Sequence, residues 1–207
     1  MRSLIFTSIL LAGCLAANAQ RVISFGVTGG VPFTGFFADE SFTPAIINPF
    51  LGSLYGVDSY NGSNRYTIGP AVEAHLPFNF SVEADALYRP LDLRQQDYVI
   101  GPGPEPPKST KYSSWEFPVL VKYRASSRLI RPFVEAGPNF RAVANPLGSS
   151  LSKSGLSAGV GIEVKIWRAS IAPQVRLTHW GKDAGAAVLK DVASERNQGE
   201  FLVGLAF

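Results

Sequence analysis

The chain has 207 residues, of which 46% are apolar and only 17% are charged, whereas a soluble domain usually carries about a quarter charged residues. Outside the first twenty residues, no apolar run approaches the roughly 18 residues that a membrane-spanning helix needs, which excludes a helical membrane protein. The net charge of +3 is too small and too scattered to indicate a nucleic-acid partner.

The first 19 residues have the pattern of an export signal. A positively charged start precedes an apolar stretch, and Ala17 and Ala19 form the small-x-small site that predicts cleavage before Gln20. The sequence Leu-Ala-Gly-Cys ending at Cys14 resembles the lipobox of bacterial lipoproteins, so lipidation of Cys14 is the alternative. We expect a signal peptide at 1–19 and one domain at 20–207, which then contains no cysteine for disulfide, thiol or metal chemistry.

From residue 21 onward the apolar residues recur with a period of two, which predicts strands. Eight strands of about 9–12 residues follow, the length that a tilted strand needs to cross a bilayer. In chain order, the clearest alternation within them runs over 23–28, 65–76, 80–89, 115–124, 134–141, 156–166, 171–178 and 200–207. Four prolines fall within strands, where we predict bulges or bends: Pro70, Pro118, Pro138 and Pro173.

The connections between these strands alternate between long and short. The long ones are 32–64, 92–113, 144–153 and 181–197, and the short ones are 77–79, 125–130 and 167–168. A soluble sandwich has no reason to sort its loops in this way. The pattern predicts an all-β fold, an eight-stranded antiparallel up-and-down transmembrane β-barrel with short periplasmic turns and long extracellular loops.

The predicted charges lie on one face of the strands, and the apolar face has none. Placing basic groups at mid-bilayer costs roughly 2–4 kcal/mol each, so the charged face is expected to line the lumen. The balanced signs predict ion pairs and a lumen closed to water flow, with Glu83 and Asp85 paired to Arg89 or Arg124. The predicted lumen residues are Arg65, Glu73, Glu83, Asp85, Arg89, Glu116, Lys122, Arg124, Glu135, Arg141, Glu163, Lys165, Arg176 and Glu200.

Aromatic residues cluster near the predicted strand ends, as expected for rings at headgroup depth. Those at the outer side are Tyr66, Tyr88, Trp115 and Trp180, and those at the inner side are Phe80, Tyr123, Trp167 and Phe207. The first long loop is also dense in aromatics, which indicates a surface for a partner or for packing within the chain, and it is the best candidate for binding a surface ligand. These are Phe33, Phe36, Phe37, Phe42 and Phe50.

Three stretches, 115–124, 131–137 and 198–207, carry a family resemblance over residues 21–207. The chain resembles small outer-membrane β-barrels of Gram-negative bacteria, of the OmpA/OmpX-like type and the outer membrane protein beta-barrel domain group. The resemblance implies a monomer in outer-membrane lipid. It also implies a C-terminal signal for the barrel-assembly machinery, formed by Phe201, Val203, Leu205 and Phe207.

The sequence offers little catalytic chemistry. His75 and His179 lie on different predicted strands and match no metal motif, so neither a metal nor a cofactor is expected. His179 precedes Trp180 and Gly181, which departs from the His-x-Ser pattern of the lipid A deacylase type, and Asp183 is interpreted as a solvated neighbour. We expect a structural or surface-interaction barrel with a plugged lumen. The alternatives are a narrow channel for small solutes, a lipid-modifying rim enzyme and a soluble periplasmic ligand-binding barrel.

Overall fold

The computed structural model describes residues 22–38, 40–42, 55–61, 66–99, 106–125, 129–144, 151–166, 169–183 and 194–207, except for the side chains of 40–42, 55–61 and 95–99. The predicted cleavage site, with Ala17, Ala19 and Gln20, lies outside these ranges, as does Cys14. Within them, no helix is long and apolar enough to cross a membrane.

The described strands form one antiparallel sheet, and a 3-10 turn, Pro77–Asn79, joins the fourth to the fifth. The strands are β1 Ile23–Pro32, β2 Glu40–Phe42, β3 Tyr55–Asn61, β4 Thr67–His75, β5 Phe80–Asp85, β6 Leu87–Val99, β7 Lys108–Arg124, β8 Ile130–Ala144, β9 Ser154–Ile166, β10 Ala169–Trp180 and β11 Asn197–Ala206.

The sheet closes on itself at β1, which pairs with β4 on one side and β11 on the other. β5 and β6 pair with β7 in a single register, so they count as one strand interrupted at Ala86. The wall thus consists of eight antiparallel strands, and the predicted barrel is confirmed. At the seam the backbones approach closely, since a Cβ on Gly30 would lie 1.9 Å from the Phe201 carbonyl oxygen.

Side chains alternate strictly across the wall. In β7 the even-numbered residues from Ser114 to Arg124 are buried, whereas the odd-numbered residues from Trp115 to Tyr123 are exposed. The buried face carries the charges and the exposed face is apolar, which is the reverse of a soluble protein. An apolar outer face and a polar interior are typical of a transmembrane barrel.

The connections alternate as predicted and define two ends of the barrel. The short-turn end carries the connections from β4 to β5, β7 to β8 and β9 to β10. The long-connection end carries those from β1 to β4, β6 to β7, β8 to β9 and β10 to β11. The predicted two-residue turn at 167–168 lies outside the described residues, but Ile166 and Ala169 on either side of it pair directly.

Two predicted loops contain strands, and several strands are longer than predicted. β3 pairs with β6 from Tyr55↔Val99 to Asn61↔Leu93, and β2 pairs with β3. β7 has 17 residues and β8 has 15, beyond the expected 9–12. The extra residues of β7 lie toward the long-connection end, whereas β8 is extended at both of its ends. The period-two signal therefore ends before the backbone ladder does.

The prolines within strands do not mark bulges, so the first of the two predicted alternatives was wrong. β7 and β8 pair as Pro118↔Asn139 and again as Val121↔Ala136, which is the same register. The registers at Pro70, Pro138 and Pro173 are likewise constant. A proline removes one ladder donor but inserts no residue, so the pairing continues unchanged on either side.

Candidate functional site

The lumen, the space enclosed by the eight strands, holds most of the predicted charged residues. Twelve of the fourteen are buried there, whereas Lys165 is exposed at the short-turn mouth and Arg65 lies outside the described residues. The twelve comprise five bases and seven acids. They are Glu73, Glu83, Asp85, Arg89, Glu116, Lys122, Arg124, Glu135, Arg141, Glu163, Arg176 and Glu200.

A first layer of ion pairs lies just inside the short-turn mouth. Arg124 contacts Glu73, donates from Nε to Glu163 at 2.5 Å and donates from Nη1 to the Ser81 hydroxyl at 2.6 Å. Between Arg124 and the short-turn end, a vestibule of about 650 Å³ opens to the outside, and His75 and Lys165 are among the residues that line it. Arg124 thus connects β4, β5, β7 and β9 across the lumen.

The next layer is centred on Arg176 of β10. Its Nε and Nη1 lie 2.9 Å from Glu135 Oε1 and Asp85 Oδ2, and its Nη2 lies 3.4 Å from Glu83. Lys122 contacts Glu83 and lies 3.5 Å from Glu135. The prediction that Glu83 and Asp85 pair with Arg89 or Arg124 was therefore wrong. Alternation along a strand shows which face a charge occupies but not which strand lies opposite it.

A third layer contains acids with fewer partners. Arg89 Nη1 lies 3.9 Å from Glu116 Oε1, and Asn139 Nδ2 donates to Glu116 Oε2 at 3.5 Å. Glu200 is 3% exposed, and its Oε2 has no hydrogen-bond partner within the described part of the chain. These acids lie deep in the barrel, where an isolated charge is costly.

Between these layers and the long-connection end, aromatic rings and an arginine contact one another in the lumen. The Arg141 guanidinium lies 5.1 Å from the Phe36 ring centre and 4.2 Å from that of Trp180. The Arg89 guanidinium lies 5.3 Å from the same Phe36 ring. Phe36 and Trp180 are both 0% exposed. Cation–π contacts of this kind gain strength where water is excluded.

Phe36 belongs to residues 33–38, which we call the mouth segment, and this segment folds into the long-connection mouth. The Phe36 carbonyl accepts from Glu195 N–H at 2.9 Å and from Gln198 Nε2 at 3.2 Å. Arg89 Nη2 donates to the Thr34 carbonyl at 3.3 Å. Phe36 and Phe37 also pack in an apolar cluster with Leu91, Leu93 and Leu151.

The mouth segment contradicts the exposed position predicted for two of the loop aromatics. Phe36 and Phe37 are buried, and only Phe33 among the described rings of that set is exposed. Phe50 and the side chain of Phe42 lie outside what the structure describes. Phe36 and Phe37 thus follow the second alternative, packing within the chain.

Trp180 was also placed wrongly in the outer aromatic belt. The even-numbered residues of β10 from Gln174 to Trp180 face the lumen, so the alternation itself contained the signal for its true position. The exposed belt does include Trp115, which lies 5.4 Å from Tyr88. The other predicted belt residues on the outer surface are Tyr66, Phe80, Tyr123 and Phe207, and Trp167 lies outside the described residues.

Asp183 is not the solvated neighbour of His179 that the sequence predicted. Its carboxylate accepts from the backbone N–H groups of Ser152 at 2.6 Å and Ser194 at 2.8 Å, and lies 3.8 Å from Arg141. His179 instead contacts Asn197 and Arg196. Asp183 therefore joins the β8–β9 and β10–β11 connections above Arg141.

His75 and the remaining acids do not build a metal centre. His75 lies 3.5 Å from Glu73 and 3.3 Å from the Ser24 hydroxyl, at the short-turn mouth. Among the residues that the structure describes, no three His, Cys, Asp or Glu side chains are grouped to hold a metal ion.

The residues of the predicted assembly signal end the last strand of the wall. Phe201 and Leu205 of β11 are exposed on the outer face, and Val203 lies between them. The N–H of Phe207 donates to the Phe25 carbonyl at 2.9 Å, which extends the β1–β11 seam to the last residue.

Comparison with known proteins assigns this architecture to a family. The model of the outer membrane protein beta-barrel domain matches residues 6–198. The chain belongs to this family. No curated protein matches the sequence significantly.

Among solved structures, the outer membrane protein OprG from Pseudomonas aeruginosa is similar, with a TM-score of 0.52 and 14% sequence identity. The match covers 89% of this chain and 93% of that one. At this identity the likeness shows the fold alone. Together, the family and the fold make the chain an outer-membrane β-barrel protein.

Proposed function

We propose that this family member is an outer-membrane barrel with a lumen closed to solutes, which acts as a structural element or through surface contacts of its long connections. The observation that carries the proposal is the stack of Phe36, Arg141 and Trp180 across the lumen. Below that stack, a cavity among the ion pairs measures about 30 Å³, room for about one or two waters.

The proposal includes an orientation and an environment. The short-turn end faces the periplasm, the long connections face outward, and lipid surrounds a monomer. The alternating outer face of β11, with Phe201, Val203, Leu205 and Phe207, supports recognition by the barrel-assembly machinery. We also propose that the protein is not an enzyme, because Asp183 is engaged by Ser152, Ser194 and Arg141 rather than by His179. His179→Ala should leave membrane lipid profiles unchanged.

Planar-bilayer conductance tests the closed lumen. The wild-type protein should give no large, reproducible open steps, whereas Phe36→Ala should give more frequent openings because it removes a ring that contacts both Arg89 and Arg141. Phe33→Ala is the matched control, since Phe33 belongs to the same segment but is exposed on the outer side. Large open steps in the wild type would refute the closed lumen and favour the narrow channel.

Fractionation tests the membrane assignment against the soluble alternative. The protein should remain in washed outer membranes and require detergent for extraction. Unheated samples should migrate differently from heated ones on a gel, because a folded barrel resists unfolding by detergent. Recovery in a detergent-free periplasmic extract would contradict the proposal.

A further inference from the structure

An apolar groove of about 660 Å³ lies on the outer wall near the long-connection end. Registers align Ala136, Ala158, Leu177 and Gly199 in one row across β8, β9, β10 and β11. Three of these four residues are small, which produces a depression in the wall. The Phe33 ring lies over Gly199, where a Cβ would approach the ring to 2.2 Å.

The neighbouring row, toward the strand ends, adds polar groups to this groove. Leu156, His179 and Asn197 pair across β9, β10 and β11. His179 Nδ1 lies 2.7 Å from Asn197 Oδ1, and His179 Nε2 lies 3.2 Å from Arg196 Nη2. Because a guanidinium can only donate, Nε2 accepts from Arg196 and the Nδ1–H donates to Asn197 Oδ1. The chain of contacts holds the Arg196 guanidinium beside the upper edge of the groove.

Arg196 is available to an anion from outside. The side chain is exposed, and within the described part of the chain no carboxylate lies within ion-pair distance of it. The adjacent Glu195 carboxylate accepts instead from the Asn197 N–H at 3.2 Å. Lys153 and Lys182, at the adjoining ends of β9 and β10, are also exposed. The polar edge of the groove therefore carries exposed positive charge.

We propose that this groove binds a lipid with a phosphorylated headgroup, whose acyl chain lies over Ala136, Ala158 and Leu177 and whose phosphate contacts Arg196. The small residues allow an acyl chain to approach the wall closely, and arginine binds phosphate through charge-assisted hydrogen bonds. The groove faces the bilayer, so a membrane lipid can reach it laterally. The proposal does not require a closed lumen.

Native mass spectrometry of the purified full-length barrel in detergent tests the proposal. The probes are dioleoyl phosphatidic acid, dioleoyl phosphatidylcholine and soluble glycerol 3-phosphate. Phosphatidic acid should bind more tightly than phosphatidylcholine, because its headgroup carries the greater negative charge. It should also bind more tightly than glycerol 3-phosphate, which has no acyl chain. Arg196→Gln should weaken its binding about tenfold, as expected for loss of a charged hydrogen bond. Ala158→Leu should weaken it several-fold by filling the groove.

Two matched variants separate this site from general effects. Lys111→Gln removes another exposed base at the same end, and Ala84→Leu enlarges an exposed alanine on β5; both should bind phosphatidic acid like the wild type. A heat-dependent gel shift verifies folding of every variant. Equal losses in the control variants, or wild-type binding by both Arg196→Gln and Ala158→Leu, would overturn the proposal. Glycerol 3-phosphate binding as tightly as the lipid would also overturn it, in favour of a free-phosphate site.

Discussion

Replacing Arg176 with methionine tests whether the lumen ion pairs stabilise the barrel. Methionine has a similar length but no charge, so Arg176→Met removes three contacts to Glu135, Asp85 and Glu83 without opening a large gap. The Arg176 side chain is 2% exposed, so water cannot replace the lost contacts.

The magnitude follows from what remains after the substitution. Lys122 still contacts Glu83 and Glu135, so these two carboxylates keep a base. Asp85 loses the base to which its Oδ2 is bound, and its Oδ1 already has no hydrogen-bond partner among the described residues. Removing one partner of a buried ion pair costs about 3–5 kcal/mol, so we expect the free energy of unfolding to fall by that amount.

Urea titration of the barrel in lipid vesicles, followed by tryptophan fluorescence and the heat-dependent gel shift, measures this loss. Adding Asp85→Asn to Arg176→Met should restore at least about 1.5 kcal/mol, because the stranded charge is gone. The exposed control Lys111→Met should change stability by less than about 0.5 kcal/mol. A cost below about 1 kcal/mol for Arg176→Met, or no recovery in the double variant, would refute the reasoning.

Three further substitutions extend the test to other parts of the barrel, each read by the same urea titration. The free energy of unfolding of Glu200→Gln should lie within about 1 kcal/mol of the wild-type value or above it, because the substitution removes a buried carboxylate with an oxygen that lacks a partner among the described residues. A loss of about 3 kcal/mol would contradict this and indicate that a base pairs with Glu200. Gly30→Ala should prevent closure of the β1–β11 seam. Gly204→Ala is the control and should fold, because its Cβ would lie 3.6 Å from the nearest atom. Equal stability of the two variants would contradict the seam geometry. Val160→Arg should cost about 2–4 kcal/mol in lipid and Val160→Leu almost nothing, unless this face does not contact the bilayer.

The strand pattern could be predicted from the sequence because alternation is a local property. A side chain at position i faces the same side of the wall as its neighbour at i+2, whatever the other strands do. The inward positions of Glu116 and Lys122 and the outward positions of Val119 and Val121 follow from this alone. The same rule places Trp180 in the lumen. The prediction that Trp180 belongs to the outer aromatic belt did not apply this rule.

The partners across the lumen could not be predicted. Arg176 contacts Asp85 and Glu83, which lie about ninety positions earlier in the sequence. The proximity of these side chains depends on the number of strands and on how the strands stagger around the barrel. Charge pairs assigned by nearness in sequence, such as Asp85 with Arg89, ignore that geometry.

The sequence by itself determined the eight-strand barrel, its apolar outer face and the inward direction of its charges, because each depends on period-two alternation and on the order of connections. Only the tertiary structure decided that Phe36 and Phe37 pack inside the long-connection mouth and that Asp183 contacts Arg141. It also decided that Ala158 and His179 share one groove. The physical reason is that a connection packs against whatever surface the closed wall presents to it, and that surface exists only once strands distant in sequence have paired.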